Sequence, residues 1–247
     1  MLIIASDYDG TLNQGGISKE VRESVRLFRE RGNLFGIVSG RSIDSLVNTL
    51  SSDLIECDYF IANNGAVIAS GKGDILYESR ADSQRIKPLL DFIVSSVPRE
   101  SAGVTFGYDG IEVVKQNPSI GRITPGEYDK IPYFNQISTV AESTERAKQL
   151  AEELNLRFDG YITAYSNGWC IDIVPYNVSK ASGIKIVASL FGCSEENVIA
   201  AGDNINDLSM IEAYRSYAVG KAVEEVRSSA SCYAKDIAEI IKKELSI

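Results

Sequence analysis

Apolar residues along this chain fall into two rhythms. Short unbroken runs, Leu2-Ile3-Ile4-Ala5, Leu34-Phe35-Gly36-Ile37-Val38, Tyr59-Phe60-Ile61-Ala62 and Val198-Ile199-Ala200-Ala201, read as strands buried on both faces. Between them, apolar residues recur at helical spacing: Val21, Val25 and Phe28; Ile43, Leu46, Val47 and Leu50; Ile184, Val187, Leu190 and Phe191. Ser18 and Ser179 stand where N-caps belong, and Gly32 and Gly192 where such helices stop. A hairpin, Val67-Ile68-Ala69 with Ile75-Leu76-Tyr77, is turned by Gly71-Lys72-Gly73-Asp74, and a short Tyr217-Ala218-Val219 strand precedes a C-terminal amphipathic helix. Alternating strands and helices predict an α/β fold, a doubly wound parallel sheet covered on both faces.

The middle of the chain breaks that rhythm. From Asp82 the pattern is one helix, then strands Val104-Thr105-Phe106-Gly107 and Ile111-Glu112-Val113-Val114 turned at Asp109-Gly110. A looser stretch with Pro118, Pro125 and Pro132 leads to a helix carrying Ala147, Leu150, Ala151 and Leu154. A second hairpin joins Tyr161–Tyr165 to Trp169–Ile173 through Asn167-Gly168, with Trp169 expected to pack as an ordinary hairpin aromatic. Hairpins and helices without the βαβ alternation predict a separate α+β module over residues 82–177, inserted into a core made of residues 1–81 and 178–247.

Composition narrows the function. The net charge of −9 argues against a nucleic-acid partner, which calls for a basic surface. No apolar run approaches membrane-spanning length, and the first one meets Asp7 too early for a signal peptide. Cys57, Cys170, Cys193 and Cys232 lack metal-type spacing, so reduced thiols and a cytoplasmic location are expected. The chain has no histidine, which removes imidazole acid–base chemistry and the commonest zinc ligand.

What remains is carboxylate chemistry. The first strand runs into Asp7-Tyr8-Asp9-Gly10-Thr11, and the Val198 strand runs into Gly202-Asp203-Asn204-Ile205-Asn206-Asp207. An Asp-x-Asp turn alone favours a solvated acidic loop; the Gly-Thr that follows, the strand before it and the second acidic cluster reverse that reading. If the two strands adjoin in one parallel sheet, their carboxyl ends form a single oxygen-rich site suited to Mg²⁺.

Asp7-Tyr8-Asp9-Gly10-Thr11-Leu12, Ser39-Gly40-Arg41, Lys180 and the Gly202–Asp207 segment resemble, in order, the four motifs of the haloacid dehalogenase superfamily. The late insertion and Asn63-Asn64-Gly65-Ala66 are similar to its Cof-type branch with an α+β cap, although Gly220-Lys221-Ala222 stands where that branch usually has Gly-Asn-Ala. The resemblance implies a Mg²⁺-dependent phosphatase acting on a small phosphorylated metabolite, such as a sugar phosphate, with the cap closing over the cleft and choosing the substrate. Asp7 would be the nucleophile that carries an aspartyl-phosphate, and Asp9 the general acid and base. Asp7, the Asp9 carbonyl and Asp203 would hold the metal, with Asp207 either a further ligand or an outer support. Tyr8, Gly10, Ser39, Gly40, Lys180 and Asn206 would surround the phosphate. Arg41 reads equally as a substrate contact or as an ion pair. The same scaffold also accommodates a phosphomutase or phosphotransferase, or phosphoglycolate phosphatase as the particular activity; a non-catalytic binding protein would not need the acidic and lysine residues retained here. No membrane or nucleic-acid partner is implied, and the expected state is a monomer or homodimer.

Overall fold

Successive residues of the buried strands face opposite sides of the sheet, and this determines how the first unit is layered. In the computed structural model, which describes residues 1–53, 55–116 and 122–246, the chain forms one unit from Met1–Tyr77 with Ser179–Ile247 and a second from Glu78–Val178. Pro118 and the side chains of Leu50 and Pro125 lie outside the described residues. The chain opens with β1 (Ile3–Asp7), α1 (Lys19–Glu30), β2 (Leu34–Val38), α2 (Ile43–Asp53), β3 (Tyr59–Ala62), β4 (Val67–Ser70) and β5 (Ile75–Glu78). Ser18 caps α1, its Oγ accepting from Val21 N–H at 3.2 Å. Ile4 of β1 faces the layer that holds Val21, Val25 and Phe28 of α1, while Ile3 and Ala5 face the opposite layer.

The second unit begins with β6 (Ala81–Asp82), α3 (Ile86–Ser96), β7 (Ser101–Phe106), β8 (Asp109–Val114), β9 (Arg122–Ile123), β10 (Tyr133–Phe134) and β11 (Gln136–Val140). It ends with α4 (Thr144–Arg157), β12 (Ile162–Asn167) and β13 (Cys170–Pro175). Its sheet runs β12-β13-β11-β7-β8-β9. Leu89 and Ile93 of α3 and Leu150 and Leu154 of α4 share one core with Val104, Ile137, Ile171 and Ile173.

Three details of this unit depart from the sequence reading. β11, which pairs with both β13 and β7, sits in the stretch read as loose, because Gln136, Ser138 and Thr139 leave it only two apolar side chains, Ile137 and Val140. The first hairpin turns at Gly107-Tyr108, since Phe106 pairs with Asp109 and Gly107 takes a φ of +59°. The second turns at Gly168-Trp169 for the same reason, with φ +58° at Gly168, and this leaves Trp169 60% exposed instead of packed.

The first unit resumes with α5 (Lys180–Leu190), β14 (Val198–Gly202), α6 (Leu208–Ala213), β15 (Arg215–Val219), α7 (Glu224–Ser229), β16 (Cys232–Ala234) and α8 (Ile237–Leu245). The completed sheet has the order β16-β15-β14-β1-β2-β3-β4-β5, parallel from β16 through β3 and antiparallel where β4 joins β3. β1 lies between β2 and β14, so the winding reverses direction beside it, the place where open α/β sheets take their ligands. Helix α5 buries Lys180, Gly183, Ile184, Val187 and Ala188, a continuous helical stripe. Leu190, expected on that stripe, falls off it and is 51% exposed. No helix among the described residues is long and apolar enough to cross a membrane.

Candidate active site

The sheet register brings the two acidic segments together. Ser6 pairs with Ala201, so Asp7 at the end of β1 stands beside Gly202 at the end of β14. One carboxylate oxygen each from Asp7, Asp203 and Asp207 lie within 4.8 Å of one another. Lys180 is the first residue of α5, whose N-cap Ser179 accepts from Ser182 N–H at 3.1 Å. Its Nζ donates to Asp7 Oδ1 at 2.7 Å and to Asp207 Oδ1 at 2.5 Å. The lysine is 1% exposed, and Asp7 and Asp207 are buried with it.

Neighbouring residues fix each carboxylate. Asp207 Oδ2 accepts from the backbone N–H groups of Asp203 at 2.9 Å and Asn204 at 3.0 Å, so both its oxygens already hold protein donors. A Cβ on Gly202 would lie 2.6 Å from Asp207 Cβ, which reserves that position for glycine. Asp203 Oδ1 accepts from Thr11 Oγ1 at 2.6 Å, and its carbonyl accepts from Val223 N–H at 2.9 Å. Gly10 turns at φ +89°, and a side chain there would collide with the Asp203 carboxylate.

Three carboxylates face one ammonium in a buried setting. Burial, reinforced by Asp207 and opposed by Lys180, pushes the Asp7 carboxyl up to about 8. Burial also raises Asp203, with the Thr11 hydrogen bond acting against it. Burial works against the Lys180 charge, but Asp207 and Asp7 outweigh it and hold the ammonium above its ordinary range. An all-oxygen donor set with surplus negative charge and no histidine is the chemistry a hard divalent cation such as Mg²⁺ requires.

The remaining sequence candidates are placed differently. Asp9 is exposed, and its carboxylate takes a bidentate pair from Arg41, Nε to Oδ2 at 2.8 Å and Nη2 to Oδ1 at 2.7 Å. The same guanidinium lies 5.0 Å from the Tyr8 ring centroid. Tyr8, expected near phosphate, buries its ring in the core, and its hydroxyl accepts from Asn13 Nδ2 at 3.0 Å. Ser39 follows β2, which pairs Val38 with Asp7, and its Oγ accepts from Arg41 N–H at 3.2 Å. Gly40 is half-buried in that turn, and Asn206 is half-buried on the single helical turn Ile205–Asp207. The sequence reading missed Thr11; the signal was a hydroxyl directly after the glycine that Asp203 overlies.

Comparison with known proteins identifies a family. A family model described as haloacid dehalogenase-like hydrolase matches residues 4–239. The Bacillus subtilis 5-amino-6-(5-phospho-D-ribitylamino)uracil phosphatase YcsE is 26% identical over 231 residues, 92% of this chain and 87% of that protein. A haloacid dehalogenase-like hydrolase from B. subtilis shares the fold with a TM-score of 0.82 at 20% identity over 100% of both chains. A haloacid dehalogenase subclass IIB sugar phosphatase does so with a TM-score of 0.79 at 19% identity, again over 100% of both. The chain belongs to the haloacid dehalogenase-like hydrolases.

Proposed function

We propose that this phosphatase hydrolyses small phosphomonoesters of sugars or polyols, through an aspartyl-phosphate on Asp7 and with Mg²⁺ as its cofactor. The observation that carries the proposal is the Lys180 ammonium held between Asp7 and Asp207, with Asp203 alongside, at the carboxyl ends of β1 and β14. Lys180 orients the Asp7 carboxylate and favours its ionised form. Asp7 attacks phosphorus, and the bond to the leaving oxygen breaks as Asp9 gives that oxygen a proton. Asp9 then takes a proton from water, the water oxygen attacks phosphorus, and inorganic phosphate leaves with the Asp7 carboxylate restored. Arg41 holds both oxygens of the Asp9 carboxylate, so Asp9 must part from it to reach the leaving oxygen.

Asp7, Asp203 and the Asp9 carbonyl would hold the Mg²⁺, and Asp207 would support them by fixing Lys180 and the main chain at Asp203 and Asn204. When bound, the ion offsets the negative charge of the carboxylates and of the phosphoryl oxygens. Ser39, the Gly40 N–H, the Gly10 main chain, Lys180 and Asn206 would supply donors to phosphate. The Glu78–Val178 unit would act as the cap that chooses the leaving group. The substrate class is supported by relatives named for a phosphoribitylamino compound and for sugar phosphates.

The test is a release assay for inorganic phosphate across phosphorylated sugars, polyols and nucleotides, run with Mg²⁺ and with EDTA. Turnover of a sugar or polyol phosphate that chelation silences is expected. Activity indifferent to EDTA, or isomerisation without phosphate release, would overturn the proposal.

A further inference from the structure

Two glycines far apart in the sequence meet next to the lysine. Gly65 ends the turn after β3 with a φ of +110°, following Asn63 and Asn64 at φ +51° and +53°. Only glycine and, less readily, asparagine enter this left-handed region without a large penalty. A Cβ on Gly65 would strike the carbonyl oxygen of Ser179, the N-cap of α5. Gly183, one turn into α5, faces back: a Cβ there would lie 2.6 Å from Ile61 Cγ2 and 3.0 Å from Gly65 Cα. Main chain therefore rests on main chain, with no side chain between them.

The other side of the same turn is tied to the Ser39–Arg41 loop. Asn64 N–H donates to the Ser39 carbonyl at 3.0 Å, and Asn63 N–H to the Arg41 carbonyl at 2.9 Å. The turn thus bridges the segment after β2 and the start of the helix that begins with Lys180. Displacing the first turn of α5 displaces the lysine backbone with it.

We propose that the Asn63–Gly65 turn is a positioning element, and that its contact with Gly183 sets where the Lys180 ammonium stands between Asp7 and Asp207. Gly65 and Gly183 are positioning residues, acting through Lys180. The kinetic consequence rests on the phosphatase reading; the geometric consequence does not.

The test is Gly183→Ala in the full chain. Alanine is the better helix former, so without the contact this change would raise the thermal midpoint. With it, kcat for p-nitrophenyl phosphate and Mg²⁺, measured well below the melting temperature, should fall on the order of 10- to 100-fold, with KM nearly unchanged. Ile61→Ala in the same chain removes the methyl that the new Cβ meets and should recover part of kcat, and this double variant also serves if Gly183→Ala alone does not fold. A crystal structure of Gly183→Ala should show Lys180 Nζ moved from its hydrogen bond to Asp7 or Asp207, and that of the double variant a smaller shift. Unchanged kcat, or a lysine that has not moved, overturns the proposal. Wild-type protein without phosphatase activity would instead overturn the functional reading, and the structural measurement would still decide this one.

Discussion

At the scale of single residues, the site is a balance between like charges and the few groups that offset them. Asp7→Asn removes the proposed nucleophile while leaving Lys180 paired with Asp207. It should cut turnover more than about 1000-fold with the fold retained, as measured by phosphate release and circular dichroism. Thr11→Val deletes the hydroxyl on Asp203 Oδ1 and should weaken Mg²⁺ activation about 10- to 100-fold, read from a metal titration of activity. Because burial lifts Asp7 to about 8, its metal-free carboxyl is mostly protonated at neutral pH. Mg²⁺ needs the carboxylate, so binding at pH 7 should release a proton, and affinity should rise as pH climbs towards 8. Calorimetry in buffers of different ionisation enthalpy measures that proton directly; heats independent of buffer would refute it.

At the scale of elements, Ser179→Ala removes the cap of the helix that presents Lys180, and should cost about 1 kcal/mol in urea unfolding. The core elements were legible because buried parallel strands are written as apolar runs and their helices as stripes. Lys180 alone read as a surface lysine and was legible only through the resemblance; the structure places it on the same buried stripe as Ile184 and Val187. Strand β11 was not legible, because its Gln136 and Ser138 alternate with Ile137 and mask a central strand as polar chain. Both second-unit hairpins turned one or two residues from the expected dipeptide: pairing register, which no local motif specifies, decided which glycine took the positive φ. The acidic tips could be recognised as candidates from spacing, but their convergence required knowing that β1 and β14 are neighbours.

At the scale of the whole molecule, the hydrophobic clusters respect the two units. One cluster lies wholly within residues 81–173, and the others draw only on the N- and C-terminal parts of the chain. Residues 78–178 expressed alone should therefore fold, giving a dispersed amide NMR spectrum; a collapsed spectrum would show that this cluster needs the rest of the chain.

The pairing of β1 with β14 also has a consequence for synthesis. Asp7 is synthesised long before Asp203, so the set stays incomplete until the β14 segment has been made. An elongating polypeptide can finish its internal module long before it owns a single functioning centre. Chains that stop short of Asp203 should carry Asp7 and still be inert, which phosphate release from a truncation series would measure.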